Sequence, residues 1–225
     1  MSSDSHDTLY KMGSPPHGKQ NNYETAYNDA AEQLALASIA DRAEKSGAGI
    51  DGHGGGTALS LSFLGDEVIV AHPEISVLYR DRKEDMPLWA KILILHYLLR
   101  AGGAPHSSEQ ITFNQIKGGM GYYPAFQRRC ITPLIDLFGN QPDRFFEAGN
   151  AAGGVPVTIG DYALLFHCFP RVEVIFSFWK GDEEFPPAGN VIFDLSISDY
   201  LSAEDVAVLC NMIAVKIIRS FTPRV

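Results

Sequence analysis

Two adjacent runs of strict alternation, Tyr162 to Phe169 and Val172 to Trp179, limit what this chain can become more than any other stretch. Tyr162, Leu164, Phe166 and Cys168 alternate with Ala163, Leu165, His167 and Phe169, and Val172, Val174, Phe176 and Phe178 alternate with Glu173, Ile175, Ser177 and Trp179. A period of two sends one set of side chains to each face of a strand, so the spacing predicts two consecutive strands. A third follows at Val191 to Phe193, and the densest charge of this region, Asp182-Glu183-Glu184, lies between the second and the third.

A chain of 225 residues has the length of one large domain or two small ones, and it can bury roughly 70% of its unfolded surface without staples. Cys130, Cys168 and Cys210 are odd in number, far apart and set in apolar runs, which suits reduced thiols and a cytoplasmic setting. A net charge of -9 opposes nucleic acid or anionic membrane as the default partner, because neutralising phosphates takes clustered lysine and arginine. The longest apolar run, around Leu88 to Leu99, falls short of the ~20 residues a bilayer span needs, and no apolar signal core opens the chain.

Met1 to Asn21 is polar and poor in apolar residues, so a mobile tail is expected there, followed by one domain over residues 22–225. Tyr23 to Lys45 predicts a half-buried helix with Gly47 as a left-handed cap. Gly47 to Gly56 is a glycine-rich loop, and Leu59 to Leu64 with Val68 to Ala71 predicts a hairpin around Gly65-Asp66. Leu88 to Arg100 is apolar on almost every side and predicts a central helix. A break is expected at Gly118 to Gly121, then helices from Pro124 to Cys130, from a restart at Thr132-Pro133 to Phe138, and from Asp143 to Ala152. Ser202-Ala203-Glu204-Asp205 resembles a capping box and opens a last helix, apolar nearly all round, through Ile218.

Gly47-Ala48-Gly49-Ile50-Asp51-Gly52 fits G-x-G-x-x-G, but it follows a helix and precedes a strand, the reverse of the dinucleotide order. His53-Gly54-Gly55-Gly56 resembles an esterase oxyanion loop, yet no G-x-S-x-G nucleophile elbow accompanies it. Lys117 to Gly121, with Arg128 and Arg129 downstream, has the elements of an anion site at a helix start, although a structural turn with solvated arginines is the simpler account. Asp182, Glu183 and Glu184 offer hard oxygen donors or an acid/base pair, against the plainer account of a charged loop, with Trp179 beside them as a further candidate ligand contact. Asp194 and Asp199 join them only if the fold returns there. His96 shares a helix face with Trp89, Leu93 and Arg100, and the histidines and cysteines show no metal-ligand spacing, so no metal site is expected.

Leu88 to Gly103, Ile111-Thr112-Phe113 with Gly118-Gly119, Tyr123-Pro124-Ala125-Phe126, Phe169-Pro170-Arg171-Val172 and Trp179 to Pro186 resemble the family called domain of unknown function 3786, over roughly Tyr23 to Ile218. That resemblance implies relatives largely in anaerobic bacteria and archaea, some with an added four-cysteine iron-sulfur module of the kind seen in corrinoid methyl-transfer proteins. It implies no activity, and this chain lacks such a cysteine set, so the cofactor is left unknown.

The expectation is a single α+β domain, with a mainly antiparallel sheet of about five strands packed against the Leu88 and Ser202 helices. For function, the resemblance and the abundant aromatic side chains favour a non-catalytic ligand-binding or accessory protein with a small-molecule or protein partner, in the setting of corrinoid or one-carbon metabolism. The alternatives are a metal-dependent enzyme using Asp182, Glu183 and Glu184, and an interaction subunit using the last helix. A monomer is favoured over a homodimer.

Overall fold

The computed structural model describes residues 20–53 and 56–221. The expected tail lies outside these residues except at its last two positions, and so does the centre of the His53 to Gly56 run. In chain order the elements are α1 (Gln20–Ala35), α2 (Ile39–Ser46), β1 (Gly49–His53), β2 (Gly56–Phe63), β3 (Asp66–His72), β4 (Val77–Tyr79) and α3 (Leu88–Arg100). After β5 (Gln110–Thr112) and a 3-10 turn (Phe113–Gln115) come α4 (Gly119–Phe126), a π-helical turn (Gln127–Ile131), α5 (Thr132–Phe138) and α6 (Pro142–Ala151). The chain continues through β6 (Val155–Pro156), β7 (Tyr162–Phe169), β8 (Val172–Trp179), β9 (Ala188–Asp194), α7 (Ile197–Tyr200) and α8 (Ala203–Ser220).

The arrangement is α+β with antiparallel pairing, and the strands divide into two sheets, β1-β2-β3-β4 and β5-β9-β8-β7-β6. In the five-stranded sheet Leu164 faces Phe176 and Phe166 faces Val174 across the ladder, so the alternating sets form one buried face. On the other face His167 stands opposite Glu173, their side chains 2.9 Å apart. The hairpin read at Leu59 belongs to the other sheet, whose two-residue turn places Leu64 and Gly65 at φ 51° and 88°. That turn is tied to the larger sheet, because a register shift between His167 and Phe169 takes Cys168 out of the ladder and its carbonyl accepts the Leu64 N–H at 3.0 Å.

The helix expected from Tyr23 to Lys45 is two helices. Ser38 caps α2, its hydroxyl accepting the Asp41 N–H, and Gly47 closes it at φ 74°. The break expected at Gly118 to Gly121 is instead the start of α4: Gly118 takes φ 86°, and a Cβ on Gly119 would lie 2.0 Å from the Phe113 carbonyl oxygen. At Thr132-Pro133 the helix continues rather than restarts. Pro133 has no N–H to offer the Arg129 carbonyl, and the chain passes this point through the π turn, with Thr132 at φ -53° and its N–H on the Gln127 carbonyl.

One core joins helices and sheets. α3 buries Ile92, Leu93, Ile94, Leu95, Tyr97 and Leu98, and α8 packs within the same chain against α3, α4, the π turn, α5 and α6. The capping box at Ser202 and Asp205 is formed. Among the described residues no helix is long and apolar enough to cross a membrane.

Candidate functional site

α3 and α8 lie against each other and present two short stripes to a common cleft of about 350 Å³. Trp89, Leu93 and His96 recur at helical spacing on α3, and Glu204, Asp205, Val208 and Asn211 do so on α8. Asn22, Tyr23 and Ala26 of α1 form another wall, and Tyr122 of α4 with Arg129 of the π turn completes it.

At the junction of the two stripes His96 Nδ1 and Asp205 Oδ1 are 2.7 Å apart. Asp205 is a buried residue whose other oxygen accepts the Ser202 hydroxyl at 2.5 Å and the Ser202 N–H at 3.2 Å. One carboxylate therefore caps α8 and orients an imidazole 109 residues away in sequence. Hydrogen bonding to Asp205 raises the His96 pKa above the ordinary histidine value, outweighing the desolvation that lowers it. Burial works to raise the Asp205 pKa, but the bonds from His96 and Ser202 outweigh it and hold the carboxyl below its usual range. With Nδ1 engaged, Nε2 is the ring nitrogen left for a ligand.

Arg129 is half-buried. Its Nη1 donates to the Tyr122 hydroxyl at 2.8 Å, and its guanidinium lies 5.9 Å from the centroid of that ring. Among the described residues it has no carboxylate partner. Tyr23 has its pKa raised by burial first and by Glu204 next, with Arg129 opposing, so the three groups sit within electrostatic reach of each other. Glu204 is exposed at the rim. No Ser, Thr or Cys lines this cleft among the described residues.

Of the candidate ligand-binding residues named from sequence, Arg129 alone lines the cleft among the described residues, beside His96 and Asp205, which the sequence marked only as a helix-face histidine and a cap. Arg128, the neighbour of Arg129, is exposed. The amide of Gly119, which the anion reading of Lys117 to Gly121 would use, donates to the Ile116 carbonyl at 2.8 Å. Trp179 lies against Gly160, where an added Cβ would come within 3.0 Å of the indole. Asp182, Glu183 and Glu184 are exposed, and Asp182 Oδ1 accepts the N–H groups of Glu184 at 2.9 Å and Phe185 at 2.7 Å. Asp194 accepts from Ser107, Ser108 and Ser196, and Asp199 from Ala104. Among the described residues no group of three or more His, Cys, Asp or Glu side chains is placed to hold a metal ion.

A second groove, of about 450 Å³, runs past Trp89, Phe63, Tyr79 and Met212. Its cations are engaged: Lys216 Nζ donates to the Leu64 carbonyl at 3.0 Å, and Arg82 is paired with Asp66. The first cleft is therefore the stronger candidate.

Residues 38–216 match the sequence model of a family described as Domain of unknown function (DUF3786). α1 precedes the matched residues, although it supplies one wall of the cleft. No curated protein and no solved structure matches the chain.

Proposed function

Since the chain belongs to the domain of unknown function 3786 family, whose description carries no activity, we propose its function from the cleft: it binds a small organic molecule there, as a non-catalytic accessory protein. The observation that carries this reading is the half-buried Arg129, held on a π turn and facing an aromatic-walled cleft with only a phenol as hydrogen-bond partner among the described residues. A guanidinium removed from water without an anion is costly, so such a site is stabilised when a ligand arrives. π turns recur at functional sites for a related reason, since they re-aim one side chain out of helical register. Tyr23, Trp89 and Tyr122 supply flat apolar surface, and a few polar groups converge from different elements, the usual composition of a small-molecule site. The absence of Ser, Thr and Cys from the described lining is why storage or delivery is preferred to acyl transfer, which needs a nucleophile beside the imidazole.

A fragment screen followed in the indole N–H region of the nitrogen-proton correlation spectrum tests this. Saturable perturbation of the Trp89 indole by at least one fragment, abolished in Trp89→Leu and weakened in Tyr23→Ala, is the expected result. If no fragment at ~10 mM, weaker than any physiological ligand, perturbs the cleft, the proposal fails.

A further inference from the structure

We propose that the ligand of this cleft is a planar or aromatic carboxylate, and that it binds together with one proton on His96. The inference rests on the ligand-binding reading above and adds the charge class and the proton. Arg129 offers the forked guanidinium that matches a carboxylate, with one donor already fixed by Tyr122 and the others open among the described residues. The walls suit a flat apolar body, with Trp89, Tyr23 and Tyr122 contributed by three different helices.

His96 sets the proton dependence through geometry. Its Nδ1 is held by Asp205, so in the imidazolium form Nε2 is an N–H donor toward the cleft. When the proton leaves, Nδ1 keeps the Asp205 bond and Nε2 becomes a lone pair, which repels a carboxylate where it had attracted one. The charged and titratable groups around it are Asp205 and Glu204 on α8, Arg100 on its own helix, Arg129 on the π turn, Tyr23 on α1 and Tyr122 on α4. Arg100 and Arg129 balance Asp205 and Glu204 while His96 is neutral, and the proton on His96 adds one net positive charge that favours an anion. Asp205 spends its charge on His96 and Ser202, which leaves the exposed Glu204 as the one opposing carboxylate at the rim.

The test uses the full chain and four probes, benzoate, benzamide, benzylamine and inorganic phosphate, titrated against the Trp89 indole signal at about pH 6 and about pH 8.5, either side of an ordinary histidine pKa. Benzoate is expected to bind about tenfold tighter at the lower pH, the factor that one unit of linked pKa shift gives. His96→Gln should flatten the pH dependence, Arg129→Gln should abolish binding, Arg129→Lys should restore part of it, and Glu204→Gln should tighten it at both values. Far-UV circular dichroism confirms that each variant is folded, and the Lys variant keeps the comparison open if the Gln variant is not. Benzamide or benzylamine binding as well as benzoate, with no pH dependence, overturns the inference while the ligand-binding reading stands. Phosphate binding as tightly as benzoate overturns the planar-carboxylate class. Silence from all four probes, together with a silent fragment screen, removes both.

Discussion

Tyr97 of α3 lies flat on Phe169 of β7, their ring centroids 4.1 Å apart and 10° from parallel. The contact joins the central helix to the larger sheet. Above it the Tyr97 hydroxyl donates to the Ser46 carbonyl at 2.5 Å and accepts the Arg171 N–H at 3.2 Å, so one buried side chain ties the end of α2 to the β7–β8 turn. Tyr97→Phe keeps the stack and removes the oxygen. Two backbone groups then lose their partner, and a destabilisation of roughly 1–3 kcal/mol is expected, measured by urea unfolding. An unchanged midpoint would mean that water replaces the hydroxyl without loss.

Stability should depend on pH through His96 and Asp205, and the sign is fixed by the direction of the two shifts. The raised His96 pKa gives a contribution fully present below the unfolded value of about 6.5 and lost as pH rises through the folded value. The lowered Asp205 pKa gives one present above about 3.9 and lost as pH falls through the folded value. Wild type should therefore exceed His96→Gln by most between about pH 4 and pH 6.5, with the gap closing on either side. Denaturant midpoints of both proteins across that range provide the check, and a gap that widens above neutrality contradicts the pairing.

Glycines 119 and 121 of the same short run should respond oppositely to alanine. A Cβ on Gly119 meets the Phe113 backbone oxygen at 2.0 Å, and nothing lies within 4 Å of one on Gly121. Gly119→Ala must therefore displace backbone and lower the melting temperature by several degrees, roughly what 1–3 kcal/mol of overpacking produces in a domain of this size. Gly121→Ala, in the first turn of α4, should be neutral or stabilising by up to about 1 kcal/mol. Equal losses at both positions would instead point to a role for the run as a whole, such as the anion site its composition suggests.

The fold was legible where one face is buried and the pattern is local. β7, β8, the hairpin from β2 to β3, α3 and α8 all follow from period and capping, whereas the single helix expected from Tyr23 to Lys45 missed the split at Ser38, whose hydroxyl accepts the Asp41 N–H as a cap. β1 was hidden by its own glycines. Gly49 is a strand residue because it pairs with Ser60 of β2, where a Cβ would lie 2.7 Å from Ser60 Oγ, and a glycine-rich stretch reads as loop in the absence of that partner. The cleft was hidden for a different reason. Its groups come from α1, α3, α4, the π turn and α8, and no two adjacent elements in sequence carry a motif. His96 was visible on the Trp89 and Leu93 face, and Asp205 was visible as a cap, but that one carboxylate serves both depends on a helix crossing that spacing along the chain does not encode.

The last helix should behave as an internal element of one chain. Its apolar residues cover more than the ~100° that a one-sided surface helix needs, and helices of the same chain cover the excess: Val206, Leu209, Cys210, Ile213 and Ile217 are all fully buried. The half-buried stripe that remains, Val208, Met212 and Lys216, recurs every four residues along the rims of the two grooves. Leu209→Ala should then cost about 2–5 kcal/mol, as deletion of a fully enclosed leucine does, whereas Met212→Glu can turn its carboxylate into the groove beside Lys216 and Arg219 and should cost less than about 2 kcal/mol. Sedimentation equilibrium with urea unfolding separates this from the alternative. A folded monomer for wild type and Met212→Glu alike is expected, and a wild-type dimer that Met212→Glu dissociates into folded monomers would make the stripe an interface between copies.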